Sequence, residues 1–208
     1  MQTQTTTIIY SPARQLQSGI SEINKSIAMA KMLPKLNSSL QDFINEQQMF
    51  FVATADVDGR VNLSPKGLDS LRILSPNRLL WLNLTGSGNE TAAHLLNVNR
   101  MTLMFCSFVG NPLILRIYGT ARTIHTADPD WEELYAHFPD LAGARQIFDV
   151  EIENVQTSCG YAVPLYDFVE QRSRLLTAFE EKGPEGTTSY WAEKNTTSID
   201  GKPTGIPG

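Results

Sequence analysis

Cysteine and histidine are scarce in this chain, at two and three residues among 208. Cys106 and Cys159 lie far apart and fit no metal-ligand spacing. Neither a zinc site nor a disulfide framework is expected, and both read as buried or partly buried thiols of a reducing compartment. His94, His125 and His137 are scattered and form no metal pair and no dyad with a serine or cysteine. His94, in a helical stretch, reads as a packing or surface residue. The Gly-x-Ser-x-Gly turn of a serine hydrolase is missing. No apolar run approaches the length of a bilayer span, and the Thr/Gln-rich start Met1–Tyr10 has no signal-peptide core. Positive charge is not in excess either. A net charge of −5 argues against a general nucleic-acid surface and against an anionic membrane, though not against a local basic pocket. Four Asn-x-Ser/Thr triplets, at Asn37, Asn83, Asn89 and Asn195, carry no glycosylation meaning without secretion. The expected location is cytoplasmic, with neither nucleic acid nor membrane as a partner.

What is present is an ordinary globular composition, 41% apolar and 19% charged, long enough to bury a large core without staples. Leu16, Ile20, Ile23, Ile27 and Ala30 recur at helical spacing and predict a helix over Arg14–Met32, ended by Pro34. A second helix is expected over Ser39–Gln48, capped by Asn37 or Ser38, with Leu40, Phe43 and Ile44 inward. The period then changes to two. Met49–Ala55 and Arg60–Leu63 predict a hairpin about Asp56-Val57-Asp58-Gly59. That turn is no calcium loop, because Pro65 stands where its acidic ligand belongs.

Leu68–Leu74, Leu79–Leu84, Met101–Phe108 and Leu113–Ile124 are further apolar runs, the last two joined at Gly110-Asn111-Pro112. Glu90–Val98 and Asp128–His137 predict helices, the latter opened by a cap and a first-turn proline. Phe148–Glu153 alternates cleanly, and its phase slips before Val155, which predicts a bulge. Ser173–Lys182 and Glu185–Lys194 predict two helices parted by Gly183-Pro184, before an extended, Pro/Gly-rich tail. About six strands with a helix inserted between two of them imply a mainly β (α+β) fold built on an antiparallel, barrel-like sheet. The expected division is an arm and helix over 1–36, a barrel over 37–160, and a C-terminal segment over 161–208.

Two strand exits carry the candidate chemistry. One is Ser64-Pro65-Lys66-Gly67, where proline stiffens the backbone, glycine admits a ligand closely, and lysine supplies a charge. The other is Asn83-Leu84-Thr85-Gly86-Ser87-Gly88-Asn89-Glu90, a strand–glycine–helix junction with free backbone donors. It lacks the third glycine of a dinucleotide fingerprint and the Gly-Lys-Ser/Thr of a P-loop. Taken alone, the junction reads first as a helix-capping turn and second as a phosphate site. Lys66 reads equally as a solvated lysine, and Arg116, inside the apolar run Leu113–Tyr118, reads equally as part of an exposed sheet face. The phosphate reading requires the two exits to lie close together.

The order of these pieces resembles the pyridoxamine 5′-phosphate oxidase-like flavoproteins, the FMN-binding split-barrel group. The carrying residues are Phe51-Val52-Ala53-Thr54-Ala55, Asp58-Gly59, and Val61-Asn62-Leu63-Ser64-Pro65-Lys66-Gly67. They continue in Gly88-Asn89-Glu90, His94-Leu95, Asn99-Arg100, Arg116-Ile117-Tyr118-Gly119-Thr120-Ala121 and the tail from Trp191. The resemblance implies an antiparallel split β-barrel with flanking helices, a homodimer, and FMN at the subunit boundary. It places the phosphate by Ser64, Pro65, Lys66, Gly67 and by Asn83, Ser87, Gly88, Asn89, Glu90. It puts Arg116 toward the cofactor or the dimer boundary and Trp191 over the site.

The implied activity is FMN-dependent oxidoreduction of a small molecule. Alternatives on the same fold are a non-catalytic or stress-related flavin carrier, or a deazaflavin or haem binder. The chain departs from the vitamin B6 oxidases in ending Gly205-Ile206-Pro207-Gly208. It also has Asn89-Glu90 where those enzymes place an arginine/lysine pair.

Overall fold

The computed structural model describes residues 30–206. The helix expected over Arg14–Met32 therefore lies mostly outside the described residues. Its last turn is instead strand β1, Lys31–Leu33, which pairs antiparallel with Val155, Gln156 and Thr157. Helix α1, Ser38–Glu46, follows as expected, with the Asn37 side chain accepting from the Leu40 amide at 2.9 Å. Leu40 and Ile44 are buried, and Phe43 packs beside them.

Strands β2 (Phe50–Thr54) and β3 (Asn62–Lys66) form the expected hairpin. The second strand runs later than Arg60–Leu63, so Ser64-Pro65-Lys66 lies within it and is no exit. Pro65 is tolerated there because β3 is an edge strand whose outer side needs no amide donor. Next come β4 (Leu71–Ser75), β5 (Arg78–Leu84), helix α2 (Glu90–Asn97), β6 (Met101–Cys106) and β7 (Ile114–His125). The helix expected from Asp128 is shorter, α3 at Trp131–Tyr135, because Asp128 spends its side chain on the His125 amide at 2.8 Å. Strand β8, Ala144–Ser158, extends the alternating run in both directions. Its register against β7 skips Glu153, the bulge predicted by the phase slip. Helix α4, Arg174–Lys194, is broken at Gly183 (φ 66°), where two helical stretches were expected.

The eight strands form one antiparallel sheet in the order β3-β2-β6-β7-β8-β5-β4, with β1 on the far half of β8. The two ends of that order are joined by only Gly67–Ser70. Five Cα steps reach at most roughly 18 Å, whereas the edges of a flat seven-strand path would stand roughly 29 Å apart. The sheet must therefore curl round on itself, and it does so without closing. Contacts across the interior agree: Phe50 of β2 meets Trp81 of β5 edge to face at 6.3 Å, and Trp81 stacks on Phe148 of β8 at 4.7 Å. The interior is filled by these aromatics with Val52, Phe105, Leu115, Ile117 and Val150. A second cluster, centred on Leu80, Leu82, Ile147 and Trp131, packs α3 against the outer face of β5 and β8. Among the described residues no helix is long and apolar enough to cross a membrane.

Candidate functional site

Residues directly opposite each other in an antiparallel pair share a face. Lys66 stands opposite Phe50, Ser64 opposite Val52, and Asn62 opposite Thr54. Phe50, Val52 and Thr54 are buried in the interior, so a polar row, Asn62-Ser64-Lys66, occupies the inward face of β3. Leu63 and Pro65 point outward. A row of polar groups on the inner face of a barrel breaks the pattern that built it, and such breaks mark sites.

The space beside this row is a cleft of about 660 Å³, bounded by β3, the Gly86–Glu90 loop, Trp81, Asn83, Arg145 and the tail residues Thr197–Ile199. Lys66, Ser64, Asn83, Ser87, Gly88, Asn89 and Glu90 all line it. The two stretches singled out in the sequence thus face one another. Asn62 ties them, its Nδ2 donating to Thr91 Oγ1 of α2 at 3.2 Å. Pro65 lies on the outer face, and Gly67 packs against the Gln171 side chain. Arg116 lies outside the cleft, on the outer face of β7, where its Nη1 donates to Ser158 Oγ at 3.2 Å. Trp191 sits behind the loop, its indole N–H donating to Thr85 Oγ1 at 2.7 Å.

Arg145 is the residue sequence reasoning missed. Alternation from Phe148 would turn it outward with Ile147 and Asp149. A register shift against β5, between Asn83 and Leu84, inserts Arg145 as an extra residue and aims it into the cleft. It is 2% exposed. Its Nη1 donates to the Gly88 carbonyl at 3.1 Å, and its Nε meets no partner. Among the described residues neither Arg145 nor Lys66 pairs with a carboxylate.

Burial lowers the affinity of both groups for a proton. Lys66 is pushed down to about 8 by burial and by the nearby Arg145 charge. Arg145 falls to about 10, through burial, with the Tyr190 hydroxyl opposing. The Lys66 ammonium rests 5.0 Å from the Trp81 ring centroid, the nearest compensation it has. A buried guanidinium and a half-buried ammonium without counter-ions cost free energy that an anion between them would recover. The Ser87, Gly88 and Asn89 amides meet no acceptor among the described residues, and they lead into the N-terminus of α2. Together these features make the cleft a candidate anion site in the wall of an unclosed β-barrel.

A family model described as pyridoxamine 5′-phosphate oxidase matches residues 36–159. The pyridoxamine 5′-phosphate oxidase family protein ustO of Aspergillus flavus is 41% identical over 186 residues, covering 81% of this chain and 75% of the relative. Among solved structures, a putative pyridoxamine 5′-phosphate oxidase of Lactobacillus delbrueckii is 21% identical, with 59% of this chain and 94% of that one covered at a TM-score of 0.47. An FMN-binding protein of Syntrophomonas wolfei is 13% identical, with 60% and 83% covered at a TM-score of 0.41. On the sequence matches, the chain belongs to the pyridoxamine 5′-phosphate oxidase family.

Proposed function

We propose that the protein is an FMN-dependent oxidoreductase and that FMN occupies the cleft between β3 and the Gly86–Glu90 loop. The carrying observation is Arg145, a buried guanidinium whose Nε has no partner and which shares the cleft with an unpaired Lys66. A phosphate supplies what both lack: negative charge and acceptor oxygens in a partly dry site. The donor set fits a phosphate monoester, with Lys66, Arg145 and the Ser87–Asn89 amides around it and Ser64 beside them. Arg145 takes the part of the cation that Asn89-Glu90 does not provide. Trp81 and Asn83 form the wall beyond the phosphate, and Thr197–Ile199 covers one side. Bound flavin would supply hydride or electron transfer, and the protein supplies binding, orientation and shielding from water. No histidine lines the cleft, Glu90 accepts from the Ile199 amide at 3.1 Å, and Lys66, the lining group brought down to about 8, is assigned here to the phosphate rather than to proton transfer.

We further read the protein as a homodimer. Exposed Leu63 on β3 and the exposed apolar run Leu165, Tyr166, Phe168, Val169 offer apolar surface to a second copy. Arg116 on the outer face of β7 is assigned to that boundary.

The absorption spectrum of the purified protein tests the reading. FMN bands are expected, either as isolated or after adding FMN, and nicotinamide donors should bleach them. A colourless protein that takes up no FMN overturns the reading. A haem or deazaflavin spectrum replaces the ligand, and bound flavin that no donor reduces makes the protein a carrier.

A further inference from the structure

The family match ends at residue 159, yet the phosphate loop is held from beyond it. Asn195, immediately after α4, is completely buried. Its Nδ2 donates to the Gly86 carbonyl at 3.1 Å. Its own carbonyl accepts from Asn89 Nδ2 at 3.3 Å and from Thr204 Oγ1 at 2.6 Å. Asn89 in turn accepts from Gln146 Nε2 at 3.0 Å, and Gln146 is the neighbour of Arg145. Both carbonyls that bracket the loop are therefore tied back, Gly86 by Asn195 and Gly88 by Arg145. What remains for the cleft is the row of amides between them.

Asn89 shows what this arrangement displaces. It occupies the N-cap position of α2, yet makes no side-chain cap bond. An asparagine there ordinarily satisfies one of the helix's own amides. Here its amide group bridges the tail to β8, and the first-turn amides are left for a ligand. The same segment walls the cleft: the Ile199 amide donates to the Glu90 carboxylate at 3.1 and 3.2 Å.

We propose that Asn195 is a positioning residue for the cofactor phosphate. It touches no part of the cofactor; it fixes the carbonyl of Gly86 and the side chain of Asn89 so that the Ser87–Asn89 amides converge on the anion. The proposal rests on the FMN reading above. It gives the tail a part in binding that the barrel alone does not supply. It also absorbs two of the Asn-x-Thr triplets, since Asn89 and Asn195 are 2% and 0% exposed and their side-chain amides are spent on the main-chain carbonyls of Asn195 and Gly86.

The test compares FMN with riboflavin, which lacks the phosphate, by fluorescence titration of the full-length wild type and of Asn195→Ala. The variant loses the one side-chain bond to Gly86 and should lose about tenfold in FMN affinity, the worth of one hydrogen bond, while riboflavin affinity changes less than twofold. If FMN and riboflavin weaken in parallel, Asn195 is merely structural and the proposal fails. If the variant keeps the wild-type ratio of the two affinities, it also fails. Should Asn195→Ala not fold, Thr204→Val removes the hydroxyl that holds the Asn195 carbonyl, and a smaller selective loss of FMN is expected. An unchanged ratio there overturns the proposal equally. A wild type that binds neither flavin overturns the FMN reading itself, which is a different result.

Discussion

Lys66 and Arg145 reach one cleft from strands that do not neighbour each other in the sheet, β3 and β8, and neither meets a carboxylate among the described residues. Only the curl of the sheet brings them together. Each charge-assisted hydrogen bond to a phosphate is worth about 1.5–3 kcal/mol, so Lys66→Ala and Arg145→Ala should each weaken FMN by about 10- to 150-fold. Because the two cations act on one anion, the double variant should lose less than the product of the single losses. Fluorescence titration of the three variants checks this. A Lys66→Ala protein that binds flavin as the wild type does would move the phosphate elsewhere.

The lowered Lys66 proton affinity has a signed consequence. Without ligand the ammonium titrates near 8, from an ordinary value of 10.5, because burial and Arg145 disfavour its charge. A phosphate favours the charged form, so binding takes up a proton once the pH exceeds that value. FMN affinity should be level between about pH 7 and 8, where the phosphate is a dianion and Lys66 is charged, and fall as the pH rises above that. Lys66→Arg should flatten that fall, since a guanidinium stays charged. In the ligand-free protein the folded state holds fewer protons than the unfolded one between about 8 and 10.5. The Lys66 contribution therefore makes the apoprotein more stable, not less, as pH rises through that window. Urea titrations at two pH values read it directly.

Much of this arrangement is legible from local pattern, and what is not has a common cause. The hairpin turn at Asp58-Gly59, the break at Gly183 and the slip at Glu153 are short-range events, written in neighbouring residues. Lys31–Leu33 becomes a strand only because β8 runs past β5 and leaves an edge open. Arg145 escaped because a bulge against β5 reverses its side, and a bulge of one residue leaves no mark when flanked by Ala144 and Gln146. The signal that was available is one of phase. Asn62, Ser64 and Lys66 fall on the inward side of β3, and their polarity there marks the cleft wall. The tail's part depends on contacts more than a hundred residues apart, such as Asn195 with Gly86, and no local period encodes these.

Two glycines that look alike in sequence should respond oppositely to alanine. A Cβ on Gly119 would lie 2.0 Å from the Glu151 carbonyl oxygen, where the bulge presses β8 onto β7. The obstacle is backbone and cannot turn aside, so Gly119→Ala should cost about 3 kcal/mol or more, or leave no soluble protein. A Cβ on Gly86 meets nothing within 4 Å, so Gly86→Ala should stay within about 0.5 kcal/mol of wild type. Thermal melts of the two variants make the comparison.

The tail is latched to the hairpin turn by charge. The Lys202 ammonium lies 2.6 Å from Asp56 Oδ2 and also meets Asp58, while Asp200 accepts from the Arg60 amide at 2.7 Å and pairs with its guanidinium. The Asp56 carboxyl is held down at about 2, chiefly by the hydrogen bond from Lys202 and then by that from the Val57 amide. Its contribution is fully present above the ordinary carboxyl value of 3.8 and is lost as the pH falls toward 2. Lys202→Met removes the partner at every pH. The segment Thr196–Thr204 should then be nicked by a protease under native conditions at neutral pH, where the wild type stays whole. Resistance of the wild type should fall toward that of the variant as the pH drops through about 2 under an acid protease, because Asp56 takes up its proton over that range and the latch opens. Equal resistance of the two proteins at neutral pH would show that the buried amides of Asn195 and Asn89, and not the charges, keep the tail in place.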